Sequence, residues 1–316
     1  MKALVTGAAG FIGSHLSERL IECGATVTGL DSFTDYYPRA LKEANLAVLR
    51  RRPDFCLVES SLADADLPRL LEGVTHVFHL AAQAGVRKSW GRDFHVYTVN
   101  NVEGTQILLE ACAGRPIERL VYASSSAVYG DHVPLPMRED ARPQPVSPYG
   151  VTKLSGEQLC HLYQVGYSVP TVALRYFTVY GPRQRPDMGF HRFFTSAMAG
   201  EPVPQFGDGR QTRDFTFVAD AVDATVAAAT RGRLGGVYNV GGGSRVELLD
   251  VFELIQRVTK RAVKTERIET QRGDMRDTYA DTTRARADLG FAPTVTLEHG
   301  LRAQFDWMNG AGVFGA

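Results

Sequence analysis

A tyrosine and a lysine four residues apart, in Ser147-Pro148-Tyr149-Gly150-Val151-Thr152-Lys153, are the residues whose types and spacing point most directly to chemistry. Ser147 is a good helix N-cap and Pro148 suits the first helical position, so Tyr149 and Lys153 are predicted to share one helix face. A phenol with a reference pKa of about 10 is a poor base near neutrality, and a neighbouring ammonium or a bound nicotinamide cation shifts it toward phenolate. Alone, the pair would read as an aromatic ring lying on a lysine stem. It does not stand alone, because the strand-like run Arg119 to Ala123 leads into Ser124-Ser125-Ser126. In a parallel sheet ligands gather at the carboxyl ends of strands, where a serine hydroxyl would bridge a substrate hydroxyl and the Tyr149 oxygen.

A second constellation opens the chain. Strand-like Lys2 to Thr6 runs into Gly7-Ala8-Ala9-Gly10-Phe11-Ile12-Gly13, after which a helix begins. Gly7 permits the tight turn, Gly10 a close backbone approach to a pyrophosphate, Gly13 close helix–strand packing, and the helix N-terminus supplies N–H donors. Asp31, at the end of the next strand, can accept from both adenosine ribose hydroxyls and would repel a 2′-phosphate, which favours NAD over NADP. Asp31-Ser32 also suits a turn. His15, His79, His95, His161 and His191 show no metal-ligand spacing, and no metal is expected.

These residues need a scaffold, and the pattern around them supplies one. Lys2 to Thr6, Thr26 to Leu30, Phe55 to Val58, His76 to Leu80, Arg119 to Ala123 and Thr171 to Arg175 read as strands. They alternate with helical stretches at Phe11 to Cys23, Asp93 to Ala113 and Pro148 to Gly166, the rhythm of a Rossmann-like, doubly wound parallel α/β sheet. The reading gives a dinucleotide-binding domain over residues 1–176 with a return segment about 213–244 that includes a strand at Val237 to Val240. A smaller α/β substrate-binding domain takes residues 177–212 and 245–316, with a helix near Leu248 to Lys260 and a frayed tail at Ala311 to Ala316. The 316 residues carry 35 Lys plus Arg against 35 Asp plus Glu, so the basic field of a nucleic-acid binder is missing and any anion site must be local. No apolar run is long enough to span a bilayer. Met1 leads so soon into a strand that no signal peptide is expected, and four scattered cysteines without a C-x-x-C pair read as free thiols, so the cytoplasm is the expected compartment.

Thr6-Gly7-Ala8-Ala9-Gly10-Phe11-Ile12-Gly13, His79-Leu80-Ala81-Ala82, Asn101-Val102-Glu103-Gly104-Thr105, the serine-rich run before Val128-Tyr129-Gly130, and Tyr149 with Lys153 together resemble the extended short-chain dehydrogenases/reductases over nearly the whole chain. Within them the sequence is similar to the nucleotide-sugar 4-epimerases, most of all the UDP-glucuronate 4-epimerases. The resemblance implies that NAD is held tightly, C4 of the sugar is oxidised, the 4-keto intermediate turns over, and hydride returns to the opposite face. It implies that Tyr149 is the base for the O4 proton, that Lys153 binds the nicotinamide ribose and lowers the tyrosine pKa, and that Ser125 orients O4. For the cofactor it implies Gly7, Gly10, Phe11, Ile12 and Asp31, then Leu62, Leu80, Ala81, Ala82 and Asn100, with Tyr149, Lys153 and Tyr176. Relatives carry an aspartate where Ser61 stands here, ahead of Leu62, so an adenine contact is weaker at that point. Beside the serine the chain has Ser126-Ala127, without the acids of the dehydratases or the glutamate of the decarboxylating xylose synthases, so the carbon skeleton should be kept.

The segment Arg175 to Met188 is similar to the glucuronate-epimerase segment, which implies that Arg185 and the Thr178 hydroxyl bind a C6 carboxylate. Arg213, before Asp214-Phe215, is the implied diphosphate ligand. Phe206 and Gln205 would lie along the uracil, Gly189, Phe190 and Arg192 along the ribose and phosphates, and Arg272 or Arg276 with Asp274 across from them, while Ser126 joins the sugar site. A four-helix homodimer interface from Asp93 to Ala113 and Pro148 to Gly166 is also implied. Two other readings stay open: a 4-epimerase of a neutral UDP-hexose, UDP-glucose or UDP-galactose, and a non-catalytic NAD-binding scaffold.

Overall fold

A computed structural model of the chain describes residues 1–314. The first half runs β1 (Lys2–Thr6), α1 (Phe11–Glu22), β2 (Thr26–Asp31), α2 (Arg39–Leu46), β3 (Phe55–Glu59), α3 (Leu67–Leu70), β4 (His76–His79), α4 (Phe94–Tyr97), α5 (Gly104–Cys112), β5 (Arg119–Ser125), α6 (Pro148–Tyr167) and β6 (Thr171–Tyr176). It continues with β7 (Thr178–Tyr180), α7 (Gly189–Ala199), β8 (Val203–Phe206), β9 (Thr212–Phe217), α8 (Val218–Arg231), β10 (Gly236–Val240), β11 (Arg245–Glu247), α9 (Leu248–Thr259), β12 (Thr265–Ile268), α10 (Thr283–Leu289) and α11 (Leu297–Gly310). Seven strands form one sheet in the order β10-β6-β5-β4-β1-β2-β3, and every pairing in it is parallel. The order reverses between β1 and β4, where the carboxyl ends of two strands diverge and leave a crevice.

Alternation along the strands explains the layering. Ala3 and Val5 pack with Leu16 and Leu20 of α1, Val222 of α8 and Leu289 of α10, whereas Leu4 between them joins Leu108 and Leu109 of α5 and Tyr163 of α6 on the other face. Each such fully buried leucine contributes about 2 kcal/mol by removal of apolar surface from water. β9 lies in a separate three-stranded sheet, antiparallel to β11 and parallel to β7, and β8 pairs with β12. A third cluster, with Phe194 of α7, Ile255 of α9 and Leu301 and Met308 of α11, forms the core below these two small sheets.

Two elements differ from the expected ones. The stretch expected as one helix from Asp93 to Ala113 is divided, with a wide π turn at Thr98–Glu103 between α4 and α5. Asn101 is buried there and bridges the Gln83 backbone and the Thr152 hydroxyl, so its side chain fixes the turn against α6. The tail is packed rather than frayed as far as Phe314, whose ring lies 5.5 Å from that of Phe305. Gly315 and Ala316 fall outside the described residues.

The first β–α turn depends on two glycines. Gly7 has φ +73, and a Cβ on Gly13 would collide with the carbonyl oxygen of Gly7. Gly13→Ala is expected to lower the unfolding free energy by about 2 kcal/mol through overpacking and to weaken dinucleotide binding; urea titration with and without cofactor measures both.

Candidate active site

The crevice opens into a cavity of about 870 Å³ bounded by the carboxyl ends of the large sheet and by the segments after β6. At one end lies the turn from β1 into α1. Gly10 is the N-cap, in extended conformation, and brings no side chain, so the first-turn N–H groups of α1 remain available to an anion. Gly7, Gly10, Phe11, Ile12, Leu80, Ala81, Ala82, Asn100 and Tyr176 all border the cavity there. Thr6 anchors the turn from beneath: its hydroxyl meets His79 Nδ1 at 2.8 Å and accepts from the Ala81 amide, while His79 Nε2 meets the Thr105 hydroxyl at 3.0 Å.

Asp31 ends β2 at the cavity wall, in firmer company than the sequence suggests. Its Oδ2 accepts from the Ala9 amide at 3.0 Å, and its Oδ1 accepts from the Phe33 amide and from Lys42 Nζ, both at 2.9 Å. Both members of the Asp31–Lys42 pair are buried. Fewer carboxylate lone pairs therefore remain for a ribose, and Lys42, which the sequence reading missed, brings an extra donor to the same spot. No sequence signal marks it, since α2 is not among the expected helices. Leu62 does not reach the main cavity and lines a recess of about 70 Å³ beside it, with Ser60, Ser61 and Asn100. Ser61 is already engaged, donating to Asp64 at 2.6 Å and accepting from the Asp64 amide.

At the middle of the cavity the predicted helix start is in place, with the Ser147 hydroxyl accepting from the Gly150 amide at 3.1 Å and Pro148 following it. Tyr149, Lys153, Ser125 and Ser126 come together on the cavity wall. Burial raises the Tyr149 pKa, while a hydrogen bond with Ser125 and the charge of Arg185 pull it down. Lys153 was expected to be the group acting on the phenol; here its Nζ donates to the Ala123 carbonyl at 2.8 Å, and burial lowers its pKa to about 8.

Beyond them Thr178, Arg185, Gly189, Phe190, Arg192, Phe206, Arg213 and Asp274 line the far half. Arg185 holds Asp187 through Nε at 2.9 Å and Nη2 at 3.0 Å, and Tyr36 donates to the same carboxylate at 3.2 Å. Arg213 Nη1 donates to the Thr212 and Arg276 carbonyls, both at 2.9 Å, which fixes the guanidinium at the wall. Gln205 and Arg272 do not line the cavity. Neighbouring strand residues face opposite ways, so with Phe206 turned inward Gln205 packs by Gly209 instead, and Arg272 is solvent-exposed. Arg276 pairs with Asp208 at 3.0 Å, outside the cavity. Arg87, which sequence reasoning missed, occupies this end: it meets Asp274 at 2.6 Å and its guanidinium carbon sits 3.6 Å from the centre of the Phe206 ring. No local motif connects residues so distant in sequence. Among the described residues there is no cluster of three groups suited to a metal ion.

The model of the NAD dependent epimerase/dehydratase family matches residues 3–241. UDP-glucuronic acid 4-epimerase from Bacillus cereus, crystallised with UDP-glucuronic acid and NAD, superposes with a TM-score of 0.96 at 43% identity, covering 98% of this chain and 100% of that one. A protein of Bacillus subtilis (strain 168) described as an uncharacterized UDP-glucose epimerase is 43% identical over 311 residues, 98% of each chain. UDP-glucuronate 4-epimerase 4 of Arabidopsis thaliana is 39% identical over 326 residues, 96% of this chain and 74% of that one.

Burial lowers the His15 pKa from 6.5 to about 4 and that of His79 from 6.5 to about 3. The unfolded chain takes up these protons near pH 6.5 and the folded protein only well below it, so stability falls as pH drops from about 6.5 toward 4. His79→Gln is expected to flatten that slope, measured as urea midpoints between pH 7 and pH 4.5.

Proposed function

The chain belongs to the NAD dependent epimerase/dehydratase family, and from that premise we propose that it interconverts UDP-glucuronic acid and UDP-galacturonic acid by inverting C4 through a 4-keto sugar. The observation that carries this reading is the meeting of Tyr149, Ser125 and Lys153 with Arg185 in one cavity, close enough for the Arg185 charge to act on the Tyr149 phenol. A cation there suits the C6 carboxylate of a uronate, with the Thr178 hydroxyl as a second donor.

The residues present fit NAD. The glycine cradle that a Cβ would fill, the uncapped N-terminus of α1 and the acidic end of β2 suit a pyrophosphate and an adenosine ribose in turn. When bound, NAD supplies a hydride acceptor that becomes the donor again. Gly7, Gly10, Phe11 and Ile12 hold its phosphates, Asp31 with Lys42 its ribose, and Leu62, Leu80, Ala81, Ala82, Asn100 and Tyr176 its remaining faces. Tyr149 takes the proton from O4 and later returns one, Ser125 orients O4, and Lys153 stabilises the phenolate. Arg213 and Arg192 neutralise the diphosphate, Arg87 joins them by exchanging Asp274 for it, and Phe206 packs along the base. Residues 1–176 with the return at about 213–244 carry the cofactor, and residues 177–212 and 245–316 carry the nucleotide sugar.

A neutral UDP-hexose is the second reading, favoured by the bidentate Asp187 contact that already compensates Arg185. Incubation without added cofactor, with UDP-glucuronic acid and separately with UDP-glucose, read by proton NMR, separates the two. Galacturonate from the first tube alone is expected, and conversion of glucose alone would transfer the function to neutral sugars. Arg185→Ala should lower kcat/KM for the uronate roughly 10- to 100-fold, the worth of a charge-assisted contact. Tyr149→Phe should cut turnover at least about a hundredfold while NAD stays bound, the usual weight of a general base.

We also propose a homodimer in the cytoplasm. Among the described residues no helix is long and apolar enough to cross a membrane, and Cys23, Cys56, Cys112 and Cys160 are all free, as in a reducing compartment. Leu162, Val165 and Tyr167 of α6 lie exposed on one molecule, as do Phe94, Val96 and Val99 of the divided helix and its π turn. Two such helices from each copy would cover this apolar area. Leu162→Glu with Val165→Glu is expected to elute as a monomer in light-scattering chromatography where the parent elutes as a dimer.

A further inference from the structure

Behind the cavity, two side chains of α6 grip the last residues of β5. Lys153 Nζ donates to the Ala123 carbonyl at 2.8 Å and Glu157 accepts from the Ser124 hydroxyl, while Tyr149 and Ser125 line the same cavity wall. Tyr149, Lys153 and Glu157 follow one another at intervals of four, one helical turn each. Glu157 is buried, and its carboxylate also receives Arg175 of β6 through Nε at 2.9 Å and Nη2 at 2.8 Å. Arg175 in turn lies over the Tyr129 ring at 4.7 Å and donates to the Glu139 carbonyl.

A buried carboxylate costs much desolvation, and a pair of apolar residues would fill the same space more cheaply. Its place is informative for that reason. The groups facing Lys153 are Cys160 and Glu157 of α6, Tyr122 of β5, whose ring centre lies 5.2 Å from Nζ, and His79 of β4, with Tyr149 one helical turn before it. Burial keeps Cys160 and Tyr122 protonated and His79 uncharged near neutrality. Among these groups of the described residues, Glu157 is the one that carries negative charge, shared with Arg175.

We propose that Glu157 is a positioning residue for the reaction: it locks the strand end that carries Ser125 against the helix that carries Tyr149, and it keeps a negative charge one turn from Lys153 so that Lys153 stays an ammonium. The inference rests on the epimerase reading. Glu157 itself touches neither sugar nor cofactor, and acts through Ser124 and Lys153.

Burial draws the Lys153 pKa down to about 8, while Cys160 and then Glu157 work the other way. Removing the carboxylate charge therefore moves the loss of the ammonium to lower pH. Glu157→Gln, measured on purified protein with its retained NAD quantified, is expected to lower kcat roughly tenfold or more at pH 8 with KM little changed, a cost typical of small misplacements in a site. The ratio of variant to parent kcat should fall further as pH rises from 7 to 9. Glu157→Asp, which keeps the charge, should lower kcat but restore the parental pH profile. A Glu157→Gln ratio that is flat with pH, or parental kcat throughout, would overturn the proposal. If Glu157→Gln does not fold, Ser124→Ala decides it, because it spares the ion pair: a several-fold loss of kcat with NAD and melting temperature retained supports the strand lock, and parental kcat refutes it. A parent protein without C4 exchange would instead sink the epimerase reading, so the two failures are distinct.

Discussion

The contact on which the rest of the site depends runs between the carboxyl end of β5 and the first turns of α6. Parallel strands deliver their carboxyl ends to one edge of the sheet, and α6 crosses that edge with Tyr149, Lys153 and Glu157 on one side. Lys153 binds the Ala123 carbonyl and Glu157 the Ser124 hydroxyl, which leaves Tyr149 beside Ser125 on the cavity wall. The helix cannot slide by a residue without breaking both contacts. The Ser147 cap and Pro148 fix where α6 begins, and the Asn101 bridge to Thr152 fixes what lies against it.

Burial is the second constraint, and it acts on charges at the cavity wall and behind it. Asp31 is matched by Lys42, Glu157 by Arg175, and Arg185 by Asp187, with partners that come from other elements or from the same loop. Removal of one member of such a pair leaves an uncompensated buried charge and typically costs about 3–5 kcal/mol. The same desolvation that makes these pairs obligatory raises Tyr149 and lowers Lys153, so the phenol holds its proton more firmly and the ammonium less firmly than free side chains do. The phenolate is favoured instead by the Ser125 hydroxyl and the charge of Arg185, which act against burial. In the proposed reaction Arg185 would also meet the substrate carboxylate, which links substrate choice and proton transfer in one side chain.

The sequence makes the sheet legible because each strand is a short β-branched run with a turn signal at its carboxyl end, and the seven strands of the large sheet lie where those runs do. Gly7, Gly13, Asp31, Tyr149 and Lys153 are legible because each meets a backbone or helix-face requirement set within a few residues. Lys42 and Arg87 are not, since their partners are fixed by the fold: Arg87 and Asp274 stand 187 residues apart in the chain and meet only once both loops reach the cavity. Gln205 fails because one residue of register along β8 turns a side chain from the cavity to the other face, and Arg272 because the turn that carries it leaves it in solvent. The π turn at Thr98–Glu103 has no periodicity of its own to announce it.

The central claim is that C4 is oxidised and reduced again within one closed site, with the same hydrogen returned to the same carbon. Incubation of the protein, without added cofactor, with UDP-glucuronic acid deuterated at C4 tests this directly, by mass and proton NMR analysis of the product. The account predicts UDP-galacturonic acid that keeps its deuterium at C4, with none lost to water. Inverted product carrying solvent hydrogen at C4 would contradict it, as would recovery of the starting sugar unchanged after prolonged incubation with NAD supplied.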